Sequence, residues 1–255
     1  MRGLAEKVAI VAGAAPGNIG GATTLRLAQE GMKVTAADLN EAAAQAVADQ
    51  IRSAEGVAAS RGFDIFSEDS YKELIDFSMK EFGGLDALLN VAASFRESLR
   101  QGYVRHLAPL DVWKDTIDVT LTGYMYGIRH ALRWMMGRGS GSIVNTMSSI
   151  IWMGEAQRVS YQSAKNGLVG LTRHTAALGG KRGVRCNLVA PGVTLTEAVL
   201  RNLSEEYLKK ILDTVRSPRL GTPEDTAAMV AFLFSDDSAY VNGQTILVDG
   251  GANLD

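Results

Sequence analysis

The sequence predicts an α/β protein: a doubly wound parallel sheet with helices on both faces, three layers α/β/α, formed as a single domain over residues 1–255. Three observations predict it. Short β-branched or aliphatic runs alternate with longer amphipathic segments from end to end, as buried parallel strands and their covering helices do. A glycine-rich turn follows the first apolar run directly. No linker, low-complexity tract or repeat divides the chain, and 46% hydrophobic with 21% charged residues is ordinary for one sizeable core.

The runs Lys7–Ala12, Lys33–Ala37, Val57–Arg61, Ala87–Leu89, Ser142–Thr146, Val184–Val189 and Thr245–Val248 read as strands, too short and too uniformly apolar for surface helices. Between them Ile19–Glu30, Glu41–Ala54, Ser67–Phe82, Leu110–Met136, Ser160–Gly180 and Pro223–Ser235 have helical composition and spacing. Thr222-Pro223-Glu224-Asp225 is a helix start: a cap, a proline in the first turn, and acids at the positive end of the helix dipole. The least regular stretches, approximately 94–109 and 193–219, follow strands, and open α/β sheets hold their ligands at the carboxyl ends of strands.

Composition excludes several classes. A formal charge of −2 without a basic run argues against nucleic-acid partners. Cys186 is the single cysteine, so no internal disulfide framework exists and a reducing compartment fits. His106, His130 and His174 stand far apart without companion cysteines, so no metal site is expected. No apolar stretch approaches membrane length. Glu6 and Lys7 interrupt the basic start, and the apolar run Val8 to Ala12 ends in a glycine turn rather than a cleavage site. These features point to an unprocessed cytoplasmic protein with small-molecule partners.

The first strand enters Gly13-Ala14-Ala15-Pro16-Gly17-Asn18-Ile19-Gly20-Gly21 and then a helix. Glycines at such a turn let the backbone approach a pyrophosphate seated on the helix N-terminus. Asp38, followed by Leu39, ends the second strand. A carboxylate there accepts hydrogen bonds from the adenosine ribose hydroxyls and repels a 2′-phosphate. With no Arg or Lys beside it or in the turn, NAD(H) is preferred over NADP(H) as cofactor. The lesser alternative for Asp38 is to cap the helix starting near Glu41.

Tyr161 and Lys165 lie four apart, on one face of a helix if the segment is helical. A nearby ammonium favours the phenolate, so Lys165 is expected to lower the Tyr161 pKa and make the tyrosine a usable acid or base. The spacing is short and common enough that the pair alone also fits an ordinary surface helix. Ser148 stands thirteen residues before Tyr161.

Over essentially its whole length the chain resembles the short-chain dehydrogenase/reductase (SDR) family, with its Rossmann-type fold. The glycine turn is similar to that family's cofactor motif, Asp64-Ile65 to its adenine-contacting pair, and Asn90-Val91-Ala92-Ala93 to its Asn-Asn-Ala-Gly stretch. Ser148, Tyr161 and Lys165 fall at its catalytic spacing, and Pro191-Gly192-Val193-Thr194-Leu195-Thr196 resembles the segment that closes over the nicotinamide. Gly221 to Asp225 and Val248 to Gly251 match the family's ending. The resemblance implies an NAD(P)-dependent alcohol dehydrogenase or ketone reductase. Tyr161 would exchange a proton with the substrate oxygen, Ser148 would hold that oxygen, and Lys165 would tune Tyr161 and bind the nicotinamide ribose. Ser148 rather than Ser149 fits the distances to Tyr161 and Gly154. The Tyr–Lys separation resembles that of carbonyl and alcohol enzymes; enoyl reductases of the superfamily usually have a wider one.

Three departures stand out. Asn18 is an extra residue in the glycine turn and is expected to make it bulge. Val91 and Ala93 replace the second asparagine and the glycine of the Asn-Asn-Ala-Gly stretch. Thr120 stands where the family usually has an asparagine linked through water to Lys165, so a slower proton relay is expected. These departures keep open a second reading, a dinucleotide-binding sensor or scaffold with little catalysis.

For the substrate, Ile150, Ile151, Trp152 and Met153 form an apolar wall after Ser148, with Gln157 and Arg158 as polar neighbours. Phe95, Tyr103, Leu195, Val199 and Leu200 are further candidates, and Arg96, Arg100, Arg105 and His106 lie in the first irregular stretch. An apolar, cyclic or aromatic secondary alcohol or ketone fits. By resemblance the assembly is a homotetramer built on the two long helices and the C-terminal region.

Overall fold

Seven parallel strands form one sheet in the order β3-β2-β1-β4-β5-β6-β7. They are β1 Val8–Ala12, β2 Lys33–Asp38, β3 Ala58–Gly62, β4 Ala87–Asn90, β5 Gly141–Thr146, β6 Val184–Pro191 and β7 Thr245–Val248. The computed structural model describes residues 1–93, 109–152, 154 and 158–254. Every predicted strand is present, with ends displaced by at most two residues. β1 and β4 are buried along their whole length, because helices cover both faces and each alternate side chain needs an apolar partner. One core face centres on Ile10, Leu88, Tyr124, Met135 and Leu168, the other on Val11, Leu89, Val144, Val189 and Val230.

The helices are α1 Ile19–Gln29, α2 Glu41–Ser53, α3 Glu68–Phe82, α4 Leu110–Ile117, α5 Gly123–Arg138, α6 Val159–Gly179, α7 Glu197–Asn202, α8 Glu205–Leu212 and α9 Pro223–Phe234. α9 starts where expected, with Thr222 N–H donating to the Asp225 carboxylate at 2.8 Å. Two differences from the sequence reading matter. The stretch 193–219 holds α7 and α8, capped by Thr196 and Ser204, where an irregular excursion was expected. The predicted helix Leu110–Met136 is divided by a π turn, Asp118–Thr122, between α4 and α5. A π turn inserts one residue into a helix without changing its composition, so periodicity does not reveal it.

The strand order reverses between β1 and β4, both flanking the chain's first turn. Ligands of open α/β sheets sit at this switch point, beyond the carboxyl ends of the strands. Gly13, Asn90 and Pro191 all lie there, and so do the residues following β5.

Candidate active site

The glycine turn is shaped by backbone contact. Gly13 has φ +114°, and a Cβ there would lie 2.6 Å from Ala92 N. Ala92 N donates to Ala12 O, and Ala92 O accepts from the Tyr124 hydroxyl at 3.0 Å, so the ends of β1 and β4 are locked together. A Cβ on Gly20 would strike Gly13 O, which lets α1 start against the strand end. The extra residue Asn18 is absorbed as the N-cap of α1, its side-chain oxygen accepting Gly21 N–H at 2.7 Å. It thereby uses one of the free N–H groups at the helix start, next to Ile19. Gly17, at φ +67°, accepts Glu197 N–H at 3.1 Å, so the start of α7 rests on the turn.

Asp38 ends β2 half-buried, and burial pushes its carboxyl above the usual carboxylate range while N–H groups of Asn40 and Leu39 pull it down. Asn40, not Asp38, caps α2. Leu39 beside it is 78% exposed, a large apolar side chain without a protein neighbour to cover it. Glu41 packs over Gly62, the register partner of Asp38, so a second carboxylate shares this corner. Asp64 is exposed and accepts Phe66 N–H, while Ile65 is buried against Gly123 at the start of α5. A half-buried carboxylate, an exposed leucine and a glycine turn are a donor and contact set that fits the adenosine half of a dinucleotide.

The Asn90 side chain is bonded within the protein. Its oxygen accepts from Tyr71 OH at 2.6 Å and its amide donates to Asn145 at 2.8 Å, so its side chain braces the core. Asn145 continues the chain to Thr172.

After β5, Ser148 is half-buried and near enough to the Tyr161 phenol to favour its ionised form, whereas Ser149 is buried. Tyr161 and Lys165 share a face of α6, with the Lys165 ammonium 5.6 Å from the Tyr161 ring centroid and 5.3 Å from that of Tyr124. Lys165 is 1% exposed and donates to Thr146 O at 2.6 Å. Burial works against the expected electrostatics in the protein itself. Burial pushes Lys165 down to about 7, so it is only partly charged near neutrality. Burial pushes Tyr161 above its ordinary value, opposed by the charge of Arg158 and the hydrogen bond from Ser148, not by Lys165. Desolvation of the charged form outweighs the neighbouring ammonium.

Thr120 sits in the π turn, fully buried, on the surface against which α6 packs. Among the described residues the buried side-chain atoms without a partner are Thr116 Oγ1, Thr120 Oγ1, Thr146 Oγ1 and Trp134 Nε1. Three of the four are hydroxyls on the segments that flank Lys165 in the fold: α4, the π turn and the end of β5. Sequence reasoning found Thr120 by comparison with a family pattern but had no signal for Thr116 or Thr146.

Pro191 closes β6, and Gly192 N–H bonds Val248 O, with a Cβ at Gly192 2.8 Å from Asp249. Val193 is 38% exposed, Leu195 N–H bonds Gly221 O, and the Thr196 hydroxyl caps α7. Ile150 and Trp152 lie on a short 3-10 turn, Trp152 38% exposed and therefore at the surface rather than in the core. Phe95, Arg96, Arg100, Tyr103, Arg105, His106, Met153 and Gln157 lie outside the described residues.

The fold and this arrangement define a class, a dinucleotide-binding α/β protein with a serine, a tyrosine and a lysine gathered at the switch-point end of the sheet. A family model described as enoyl-(acyl carrier protein) reductase matches residues 13–253. The chain is 36% identical over 249 residues to a 7alpha-hydroxysteroid dehydrogenase of Bacteroides fragilis, covering 98% of this chain and 95% of that one. It is 39% identical to a cis-4-hydroxycyclohexanecarboxylate dehydrogenase of Sinomonas cyclohexanicum, over 97% of this chain and 96% of the relative. A cyclohexanol dehydrogenase of Acinetobacter sp. is 35% identical over 96% and 94%. A solved 7 alpha-hydroxysteroid dehydrogenase, in complex with NADH and 7-oxo glycochenodeoxycholic acid, superposes with a TM-score of 0.89 at 30% identity, covering 97% of this chain and 94% of that one. The chain belongs to the short-chain dehydrogenase/reductase family of oxidoreductases. No helix among the described residues is long and apolar enough to cross a membrane.

Proposed function

We propose that this protein is an NAD(H)-dependent oxidoreductase interconverting a ring-borne secondary alcohol and its ketone. The observation that carries the reading is Ser148 beside the Tyr161 phenol, with Lys165 one turn further along the same helix face. When bound, the nicotinamide dinucleotide supplies or accepts the hydride. The chain's residues do the rest. Ser148 orients the substrate oxygen, and Tyr161 exchanges a proton with it. Lys165, fixed by Thr146 O, would hold the nicotinamide ribose and, once protonated, stabilise a phenolate.

Because burial holds Tyr161 above its ordinary pKa, it keeps its proton at neutral pH and is poised to donate during ketone reduction. Alcohol oxidation needs the phenolate, so its rate should rise with pH while reduction falls off only at high pH. Asp38, with Glu41 close by, supports NAD(H) over NADP(H), since a 2′-phosphate would meet carboxylates there. The apolar Ile150, Trp152 and Leu195, and relatives named for cyclohexanol and hydroxysteroid substrates, support a cyclic apolar substrate. The enoyl chemistry in the family model's description is disfavoured by the four-residue Tyr–Lys spacing. Buried, lone Cys186 suits the cytoplasm, and a homotetramer built on α4–α5, α6 and the C-terminal region is the assembly we expect.

Thr120 and the capping role of Asn18 motivate the second reading, a cofactor-bound sensor. A panel of cyclic secondary alcohols and ketones, read by nicotinamide absorbance, separates the two. Turnover with NAD(H) supports the enzyme; tight cofactor binding with no turnover on any compound supports the sensor.

A further inference from the structure

We propose that Glu197 governs release of the cofactor: its carboxylate, folded back from the start of α7 over Gly17, opposes the pyrophosphate of a bound dinucleotide and keeps binding weak and exchange fast. The inference rests on the reading of the glycine turn as the pyrophosphate seat and names what limits that seat. Glu197 N–H donates to Gly17 O at 3.1 Å, so the chain reaches the turn through its backbone. The side chain follows the same course. A Cβ added at Gly17 would lie 2.5 Å from Glu197 Cγ and Cδ and 2.6 Å from its Oε1, which puts a carboxylate oxygen against the turn itself. Gly17 immediately precedes Asn18, the N-cap of α1, at the helix end whose free N–H groups suit an anion.

Charge decides the sign of the effect. The turn from Gly13 to Gly21 carries no Lys or Arg, so it offers a phosphate only backbone N–H groups, and the Asn18 side chain already takes that of Gly21. The ion-pair partner of Glu197 is Arg201, 3.9 Å away and one turn along α7, and both side chains are mostly exposed. An exposed pair of that length neutralises little. A pyrophosphate seated on the turn therefore meets a like charge at short range. An acid in the first turn also suits the α7 dipole, but the dipole asks only for a carboxylate near the helix start and leaves its course over Gly17 unexplained. The segment that carries Glu197 is anchored on its other side, where Thr194 pairs with Gly221 and Leu195 N–H bonds Gly221 O. Fixed at both Gly221 and Gly17, it holds the charge at the seat. Release of product limits turnover in many enzymes, and a repelling group at the seat speeds it.

The test compares wild type with Glu197→Gln, which removes the charge and keeps the shape and the backbone bond to Gly17. NADH affinity is read by fluorescence titration and NADH release by stopped-flow displacement. Glu197→Gln should bind NADH roughly three- to thirtyfold more tightly, the range for removing one like charge a few ångströms away at a wet surface, and release it more slowly by a similar factor. The gain should shrink as salt is raised to about 0.5 M, where exposed charges are screened. ADP should show the same gain and adenosine none, since only ADP presents a pyrophosphate. Equal or weaker NADH binding in Glu197→Gln overturns the proposal. A gain that adenosine shares, or that salt leaves untouched, marks a change of loop shape and overturns it too. If Glu197→Gln gains affinity for ADP and NADH while neither protein turns over any alcohol or ketone, the oxidoreductase reading fails and the repulsion stands. If wild type turns over substrate and NADH affinity is unchanged in the variant, the repulsion fails and the oxidoreductase reading stands. Absence of ADP and NADH binding in both proteins overturns both.

Discussion

At the carboxyl end of β1 the backbone does the shaping; at the carboxyl end of β5 side chains do. Gly13, Gly20 and Ala92 approach so closely that no Cβ fits at either glycine, and the polar groups there are paired with one another. Around Tyr161 the protein instead buries a lysine, leaves three threonine hydroxyls unpartnered and opens a helix into a π turn. The first region is built for fit and tolerates little change in shape. The second holds unfavourable burial of polar and charged groups, which stability alone would not select.

The sharpest way to break the comparison is at the glycine turn. Gly13→Ala should lower stability by at least about 1–3 kcal/mol through its positive φ and the collision with Ala92, and should cost cofactor affinity as the turn shifts. Gly137→Ala is the control. A Cβ added to that helical glycine would meet nothing within 4 Å, so the change should be neutral or stabilise by up to about 1 kcal/mol. Thermal melts and NADH titrations of the two variants decide whether backbone approach, rather than glycine content, shapes the region. Next in size, Asp38→Ala should weaken NADH binding roughly ten- to a hundredfold, the range for a lost hydrogen bond to a charged group, and leave NADPH little changed or improved. Equal loss for both cofactors would remove Asp38 from the ribose site.

On the side of Tyr161, burial of Lys165 makes a pH-dependent prediction. Its folded pKa, about 7, is below its unfolded value, so between these values the unfolded chain binds more protons and stability rises with pH. The cost of burying Lys165 is therefore fully present below pH 7 and fades as pH rises. Lys165→Met should raise the melting temperature most at or below pH 7, with the advantage shrinking towards pH 10. A pH-independent difference would mean that Lys165 is not depressed. The smallest expected effect is at the π turn. Thr120→Val removes an unpartnered buried hydroxyl at nearly constant volume, so stability should change by less than about 1 kcal/mol. A severalfold fall in turnover would identify the hydroxyl as part of the proton path, and unchanged turnover would exclude it.

Legibility in the sequence follows the same division. All seven strands and the glycine turn could be read because buried parallel strands are apolar runs and close backbone approach demands glycine. Tyr161 and Lys165 were legible as a pair by spacing, since helical periodicity fixes which residues share a face, and Ser148 only through the resemblance to the family pattern. The electrostatics were not. Whether Lys165 lowers the Tyr161 pKa depends on how deeply each is buried, a tertiary property, and in the structure burial works against it. The π turn left no compositional mark, and nothing in the sequence showed that the side chain of Asn90 bonds Tyr71 and Asn145. Asn18 looked like a disruption and serves as a cap.

The most direct measurement is a single-turnover reduction of a cyclic ketone by enzyme preloaded with NADH, comparing wild type with Tyr161→Phe. The account predicts unchanged NADH affinity and hydride transfer slowed roughly a hundred- to ten-thousandfold, the usual contribution of a positioned proton donor. Transfer at the wild-type rate in Tyr161→Phe would contradict it.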